Sequence, residues 1–426
     1  MVANKQQSIV DDDMLLWRQV FHNTTRRHSH QHLHVRASRL LRQRVLCLSS
    51  EYSSRSNGRL RPHPRNSFQG TYDIDQLTAA FPPLDTHVIL GPTGRSTISF
   101  ADPIAVRALN TALLVADYGV TPEYNELLPK GALVPPVPGR ADYVHHIADM
   151  LATTTSLGHV PMGPSITGMD IGTGASCIYP TIATSLYGWK MIASDIIPAS
   201  IASAQNIVRA NNHRNLIDIR LQENRSSIFD GILKEGEVID FCMCNPPFYT
   251  SREAFQAENA RKLRGLAKSR ANRKGTRSRS LEDRTKYTIK GKTAIATSNN
   301  FGGSDSDLWC PGGEVAFVQQ IISESKSKQY WDKCLWFTSL VSRKDNSDKI
   351  EYSLLASSAK RRRVNNSGAG KKERQVQIVK RISMGAGIKS STILIWSFLD
   401  ERERMEWQLE GVSRILIEAN SQKSLT

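Results

Sequence analysis

Two rhythms of apolar positions alternate along the chain from about residue 140 onward. "ITGMDIGTGAS" (166–176) reads as a strand running into a glycine turn, "YPTIATSLYG" (179–188) as a helix and "KMIASDI" (190–196) as a second strand. In 197–212, Ile197, Ile201, Ala204 and Val208 recur at helical spacing. Strands follow at 216–221 and 237–244, then a helix at 314–325 and a strand at 334–341. "RQVQIVKRI" (374–382) and "STILIWSFL" (391–399) form a closing pair. Alternation that ends in two adjacent strands predicts an α/β fold: a doubly wound sheet with an antiparallel edge hairpin, over residues 140–400. Upstream, 70–140 reads as a mixed, mostly helical subdomain, and 1–62 shows little periodicity beyond a short helix at 36–46.

One predicted strand stops abruptly. In "DFCMCNPPFYTS" (240–251) the apolar run meets Asn245, Pro246, Pro247 and Phe248. Proline cannot donate to a ladder, so the strand ends here, and the residue before a proline is driven into extended geometry. The outcome is a stiff corner that carries an amide, a carbonyl and an aromatic face. It suits either a tight turn or a pocket for a planar group bearing an amine.

Charge adds a partner. Against 40 Asp+Glu stand 56 Lys+Arg, a formal net charge of +16, which points to a polyanion. The excess is concentrated. Residues 1–65 carry twelve Lys/Arg, four acids and six of the eleven histidines; the whole extension reads as a disordered basic arm. Its alternating His28, His30, His32 and His34 offer metal ligands, yet composition favours the arm and no metal is expected. From Arg261 to Lys292 thirteen Lys/Arg face only Glu282 and Asp283, inside a predicted inserted loop at 255–310. Arg261, Lys262, Arg264, Lys268, Arg270, Arg273, Lys274, Arg277 and Arg279 are the candidate phosphate contacts in it. "AKRRRVNNSGAGKK" (359–372) has the form of a nuclear import signal. Six scattered cysteines contain no CxxC pair, so neither a zinc site nor a disulfide framework is indicated.

Two stretches carry the chemistry. "DIGTGA" puts Asp170 at the end of the first strand, with Gly172 and Gly174 where a ligand must approach the backbone. Asp195 stands at the tip of the second strand, 21 residues beyond Gly174, where a ribose-binding acid is expected. Nicotinamide and S-adenosylmethionine enzymes both satisfy this spacing. Cys177 occupies the place of the third dinucleotide glycine, which leans toward S-adenosylmethionine. The corner decides the matter: the Asn245 amide oxygen and the Pro246 carbonyl can accept the two protons of an exocyclic amine. Phe248 can stack on its ring, worth about 1–3 kcal/mol per base.

These segments resemble the methyltransferase-like protein 16 family, eukaryotic adenine-N6 RNA methyltransferases acting on U6 small nuclear RNA. "HPRNSF" (63–68), "FADPIAVRALNTALL" (100–114), "GRADYVHHIADML" (139–151), "DIGTGASCIYP" (170–180), "DFCMCNPPF" (240–248), "GGEVAFVQQII" (312–322) and "LWFTSLVSRK" (335–344) carry the likeness. The resemblance implies a Rossmann-like class I S-adenosylmethionine-dependent methyltransferase domain. It also implies a small N-terminal RNA-binding module at 63–139, a C-terminal helix or tail at 401–426, a fungal or lower-eukaryote source and a nuclear location. By the same resemblance Arg140 reaches the cofactor carboxylate, Gly172 lines its methionine part, Asp195 its ribose, Ser226 lies near a cofactor-binding threonine, and Asn245 to Phe248 grip the adenine. Bacterial enzymes that methylate an adenine of large-subunit ribosomal RNA are similar too and supply the alternative. Two other readings are a protein glutamine methyltransferase, which shares an Asn-Pro-Pro corner but usually has Tyr in place of Phe248, and a non-catalytic RNA-binding protein on the same fold.

Overall fold

The computed structural model describes residues 60–407 apart from 130–131, 133–134, 156, 255, 258–260, 262–308, 363–373 and 387–388. The expected helix at 36–46, the histidines of the arm and every candidate phosphate contact except Arg261 lie outside the described residues. Arg261 itself is exposed.

The N-terminal segment is helical with one small hairpin. α1 (Ile74–Ala80) starts where the Asp73 carboxylate accepts the Gln76 amide, 3.0 Å away, a side-chain cap of the usual kind. β1 (Val88–Leu90) and β2 (Ser96–Ile98) pair antiparallel. α2 (Pro103–Tyr118) is capped by Asp102 and ends at Gly119, whose φ of +63° suits a residue without a Cβ. α3 (Val137–Ala152) follows.

β3 (Thr167–Ile171), β4 (Lys190–Asp195), β5 (Ile217–Leu221), β6 (Ile239–Cys244) and β7 (Cys334–Val341) form the parallel body of a seven-stranded sheet. β8 (Ile378–Ala386) and β9 (Lys389–Ser397) add the antiparallel edge, giving the order β5-β4-β3-β6-β7-β9-β8. α4 (Ile178–Tyr187) and α5 (Pro198–Ala210) connect β3 to β4 and β4 to β5. α6 (Gly313–Ser325) precedes β7, and α7 (Lys344–Arg362) follows it.

Strands buried on both faces read as nearly continuous apolar runs. In β6 the alternation sends Phe241 and Met243 to one core cluster and Cys242 and Cys244 to the other. The first cluster also contains Leu84, Leu109, Leu114 and Tyr143, so the N-terminal segment and the sheet share one core within a unit that begins at Ser54. The boundary expected at 139/140 therefore falls inside α3. Two other expectations shift. β8 begins at Ile378 rather than 374; the Arg374 side chain reaches the Phe398 carbonyl (2.9 Å) and lies over the Trp331 ring (4.6 Å). α7 was not foreseen: its sequence is mostly polar, and among its described side chains Ile350 and Leu354 are the buried hydrophobic ones.

"HPRN" is laced onto α3. The Asp142 carboxylate accepts the His63 amide (2.9 Å) and the Asn66 side-chain amide (2.6 Å). Asp149 receives His63 Nε2 on one oxygen (2.9 Å) and the Arg65 guanidinium on the other (2.7 Å). His63, His146 and Asp149 present ligand atoms within 4.8 Å of one another, but the arrangement argues against a metal. His63 Nδ1 accepts the Arg65 amide (3.1 Å), so Nε2 must carry the proton given to Asp149, and Arg65 already neutralises that acid.

Candidate active site at the carboxyl edge of the sheet

The strand order reverses between β3 and β6, the place where open parallel sheets bind ligands. Here Ile171 is paired with Cys244, so the glycine turn after β3 and the Asn-Pro-Pro-Phe corner after β6 leave the sheet side by side.

The turn is built by its neighbours. Gly172 and Thr173 donate to the Ser194 carbonyl at 3.0 and 2.9 Å, and Gly172 and Gly174 hold φ of +73° and +64°. The Asp195 carboxylate accepts the Gly174 N–H at Oδ2 (2.8 Å) and the Ile197 N–H at Oδ1 (2.9 Å). The acid assigned to a ribose thus latches the turn. Tyr124 donates to the Ser176 carbonyl (2.6 Å) and Ser203 to the Ala175 carbonyl (2.9 Å), which fix the far side of the loop. Cys177 is buried at φ +46°, in the left-handed region where glycine is the easier residue.

Against this rigid frame several polar atoms are orphaned. Both Asp170 oxygens, the Thr173 hydroxyl and the Tyr179 hydroxyl are buried without a hydrogen-bond partner. Unpaired buried groups are costly, and four such atoms clustered at one turn fit a site that a polar ligand completes. Burial raises the Asp170 carboxyl to about 7; nearby Thr173 tempers the rise without meeting hydrogen-bond geometry, Asp195 adds to it and Arg140 opposes it. Arg140, half-buried on α3, sits 5.7 Å over the Tyr179 ring. A buried acid without a cation, a buried phenol and an arginine at the turn fit a ligand bearing both an ammonium and a carboxylate, as the methionine part of S-adenosylmethionine does.

On the other side of the junction Asn245 is half-buried, Pro246 buried and Phe248 39% exposed. The Asn245 amide makes no hydrogen bond with the described residues, leaving its oxygen available to a ligand. Beyond Phe248, Tyr249 bridges Trp309, which closes the base of the basic insertion beside the corner. Ser226 is exposed in the loop after β5, its amide turned to Asn224 Oδ1 (3.0 Å). That loop is anchored through the Ile228 and Phe229 amides to the Glu324 carboxylate.

Sequence reasoning missed Thr173 and Tyr179. Both are ordinary by type, and nothing in local spacing separates a hydroxyl left unpaired at a site from one in a core.

Comparison with known proteins agrees with this geometry. The profile of an RNA methyltransferase family matches residues 58–400. Ribosomal RNA large subunit methyltransferase F of Pseudomonas putida is 41% identical over 352 residues, 83% of this chain and 97% of that protein. The protein of the same name from Photobacterium profundum is 39% identical over 351 residues, covering 82% and 94%. Among solved structures, the hMettl16 catalytic domain in complex with MAT2A 3′UTR hairpin 6 is similar at 27% identity and a TM-score of 0.54, covering 80% of this chain and 98% of that one. The N-terminal domain of human METTL16 in complex with SAH is similar at 25% identity and a TM-score of 0.51, covering 80% and 99%. The chain belongs to this RNA methyltransferase family, as an S-adenosylmethionine-dependent adenine-N6 methyltransferase of the class I fold.

Proposed function

We propose that the chain methylates N6 of one unpaired adenosine in large-subunit ribosomal RNA. The observation that carries the chemistry is the register Ile171↔Cys244, which sets an orphaned cofactor cradle beside an amine-accepting corner. S-adenosylmethionine supplies the methyl group, activated by its sulfonium. Asp170, Thr173, Tyr179 and Arg140 hold its amino-acid end and Asp195 meets its ribose. Asn245 Oδ1 and the Pro246 carbonyl accept the two amine protons, which leaves the nitrogen lone pair directed away from both and free to react. Phe248 stacks on the base and holds it in plane. Residues 245–248 contain no ionisable side chain, so rate derives from orientation and from dipoles fixed before the substrate arrives. The proton released after transfer passes to solvent. Extruding a paired base costs a few kcal/mol, so a loop or bulge is the natural target.

The choice of ribosomal RNA is supported by relatives of that name at about two-fifths identity over nearly their whole length. U6 small nuclear RNA is the second reading, favoured by the basic run at 359–372, which has the form of a nuclear import signal. RNA from cells with and without the gene, mapped for N6-methyladenosine, separates them. Loss of one large-subunit site supports the proposal. Loss of a U6 site with ribosomal RNA unchanged overturns it.

A further inference from the structure

The β6–β7 ladder ends early. Its last paired residues are Cys242 and Phe337, while β6 stays paired with β3 as far as Cys244, and β7 continues with β9 as far as Val341. At the carboxyl edge β6 and β7 therefore part, immediately before Asn245. Alternate residues of a strand turn their backbone groups to the same neighbour. Cys244, two residues beyond Cys242, thus points its N–H at a β7 that no longer offers a carbonyl.

Two side-chain hydroxyls take the place of the missing rung. Thr338 Oγ1 donates to the Cys242 carbonyl at 2.8 Å. Its single proton being used there, Thr338 must accept from Tyr143 Oη, 2.7 Å away. Tyr143 Oη in turn accepts the Cys244 N–H at 3.4 Å. The relay has one direction: Cys244 N–H to Tyr143, Tyr143 O–H to Thr338, Thr338 O–H to the Cys242 carbonyl. Cys242, Tyr143 and Thr338 are fully buried and Cys244 nearly so, which keeps the relay out of contact with bulk water. The Tyr143 ring also meets Tyr179 edge-on at 5.6 Å, on the cofactor side of the junction.

We propose that Tyr143 and Thr338 are positioning residues for methyl transfer: their hydroxyls hold the Cys244 peptide and so aim the amide of Asn245. Neither touches the base. This inference rests on the reading of Asn245 as the amine acceptor. Tyr143→Phe keeps the ring and deletes the relay, and Thr338→Val does the same at nearly constant volume. Each is expected to lower kcat 10- to 100-fold on large-subunit ribosomal RNA well below its Tm, while KM for that RNA and Kd for S-adenosylmethionine stay within threefold. Thr338→Ser, which restores the hydroxyl, is expected to recover most of the rate. The double variant is expected to be no slower than Tyr143→Phe alone, because either change breaks the same relay. Amide hydrogen exchange over 240–251 supplies a readout without turnover: Tyr143→Phe should speed it in this segment and leave 166–176 unchanged. A Tyr143→Phe enzyme with wild-type kcat, or one whose rate loss is matched by lost cofactor affinity, overturns the inference. Should the wild-type protein methylate no RNA, the reading of Asn245 fails on its own, and exchange unchanged by Tyr143→Phe would refute the relay separately.

Discussion

Replacing Asp170 by asparagine separates what the fold needs from what the cofactor needs. The carboxyl is completely buried with both oxygens unpaired, and its pKa is raised from 3.8 to about 7, chiefly by desolvation. Below pH 3.8 the folded and unfolded chains are both protonated there and no penalty exists. Between 3.8 and about 7 the unfolded chain releases a proton that the folded chain keeps, so stability falls as pH rises. Above about 7 the whole penalty applies, about 4 kcal/mol at ~1.36 kcal/mol per pKa unit. Asparagine removes the charge but buries an amide without partners, which costs about 1–3 kcal/mol. The cofactor-free variant should therefore be about 1–3 kcal/mol more stable than wild type near pH 8, and the gain should vanish or reverse near pH 5. Binding should move the other way. Loss of a charge-assisted hydrogen bond, about 1.5–3 kcal/mol, weakens S-adenosylmethionine about 10- to 150-fold. Wild-type affinity should decline below pH 7, approaching tenfold per unit, and the variant's should not follow. Denaturant unfolding at both pH values with titration calorimetry measures all of this. An Asp170→Asn protein that is less stable than wild type at pH 8, or that binds the cofactor equally well, would refute the reasoning.

Three further expectations concern other parts of the molecule. Burial holds His145 down to about 3 and His146 to about 4, so both are neutral in the folded chain while the unfolded chain takes up protons below 6.5. From pH 6.5 to 5 the pair should cost about 4 kcal/mol at ~1.36 kcal/mol per pKa unit, against which Asp170 returns about 2 kcal/mol over the same interval, and His145→Gln should remove most of the net fall in denaturant titrations. Gly168→Ala would set a Cβ 2.2 Å from the Phe241 ring, which is fully buried and edge-on to Trp189 at 5.2 Å. Overpacking there should cost about 1–3 kcal/mol in unfolding free energy, with partial recovery on adding Phe241→Leu. Replacing the thirteen Lys/Arg of 261–292 by glutamine should flatten the dependence of RNA affinity on salt concentration; an unchanged slope would remove that segment from the interface.

Where local chemistry sets structure, the sequence was legible. β3, β4, β6 and β7 were found because central strands buried on both faces are largely apolar, the edge strand β5 because Ile217, Ile219 and Leu221 alternate with polar residues, and the stop at Asn245 because proline cannot remain in a ladder. Asp170, Gly172, Gly174 and Asp195 were placed by spacing, and the structure brings all four to the junction with Asn245. What escaped was decided at long range. Tyr143 lies 101 residues from Cys244 and 195 from Thr338, and their convergence depends on β6 parting from β7, an event without a local signature. The lacing of His63, Arg65 and Asn66 to α3 was hidden for the same reason, as was the latch of Asp195 onto Gly174. α7 was lost because a helix with so narrow an apolar stripe gives almost no periodic signal.

The central claim is that the junction of glycine turn and Asn-Pro-Pro-Phe corner transfers a methyl group to N6 of adenine. Its most direct test incubates the protein with methyl-labelled S-adenosylmethionine and unmodified large-subunit ribosomal RNA, then resolves the labelled nucleosides, with Asn245→Ala in parallel. The account predicts label in N6-methyladenosine alone, and a variant that binds the cofactor within about threefold of wild type yet transfers nothing. Label in any other nucleoside, or a fully active Asn245→Ala protein, would contradict it.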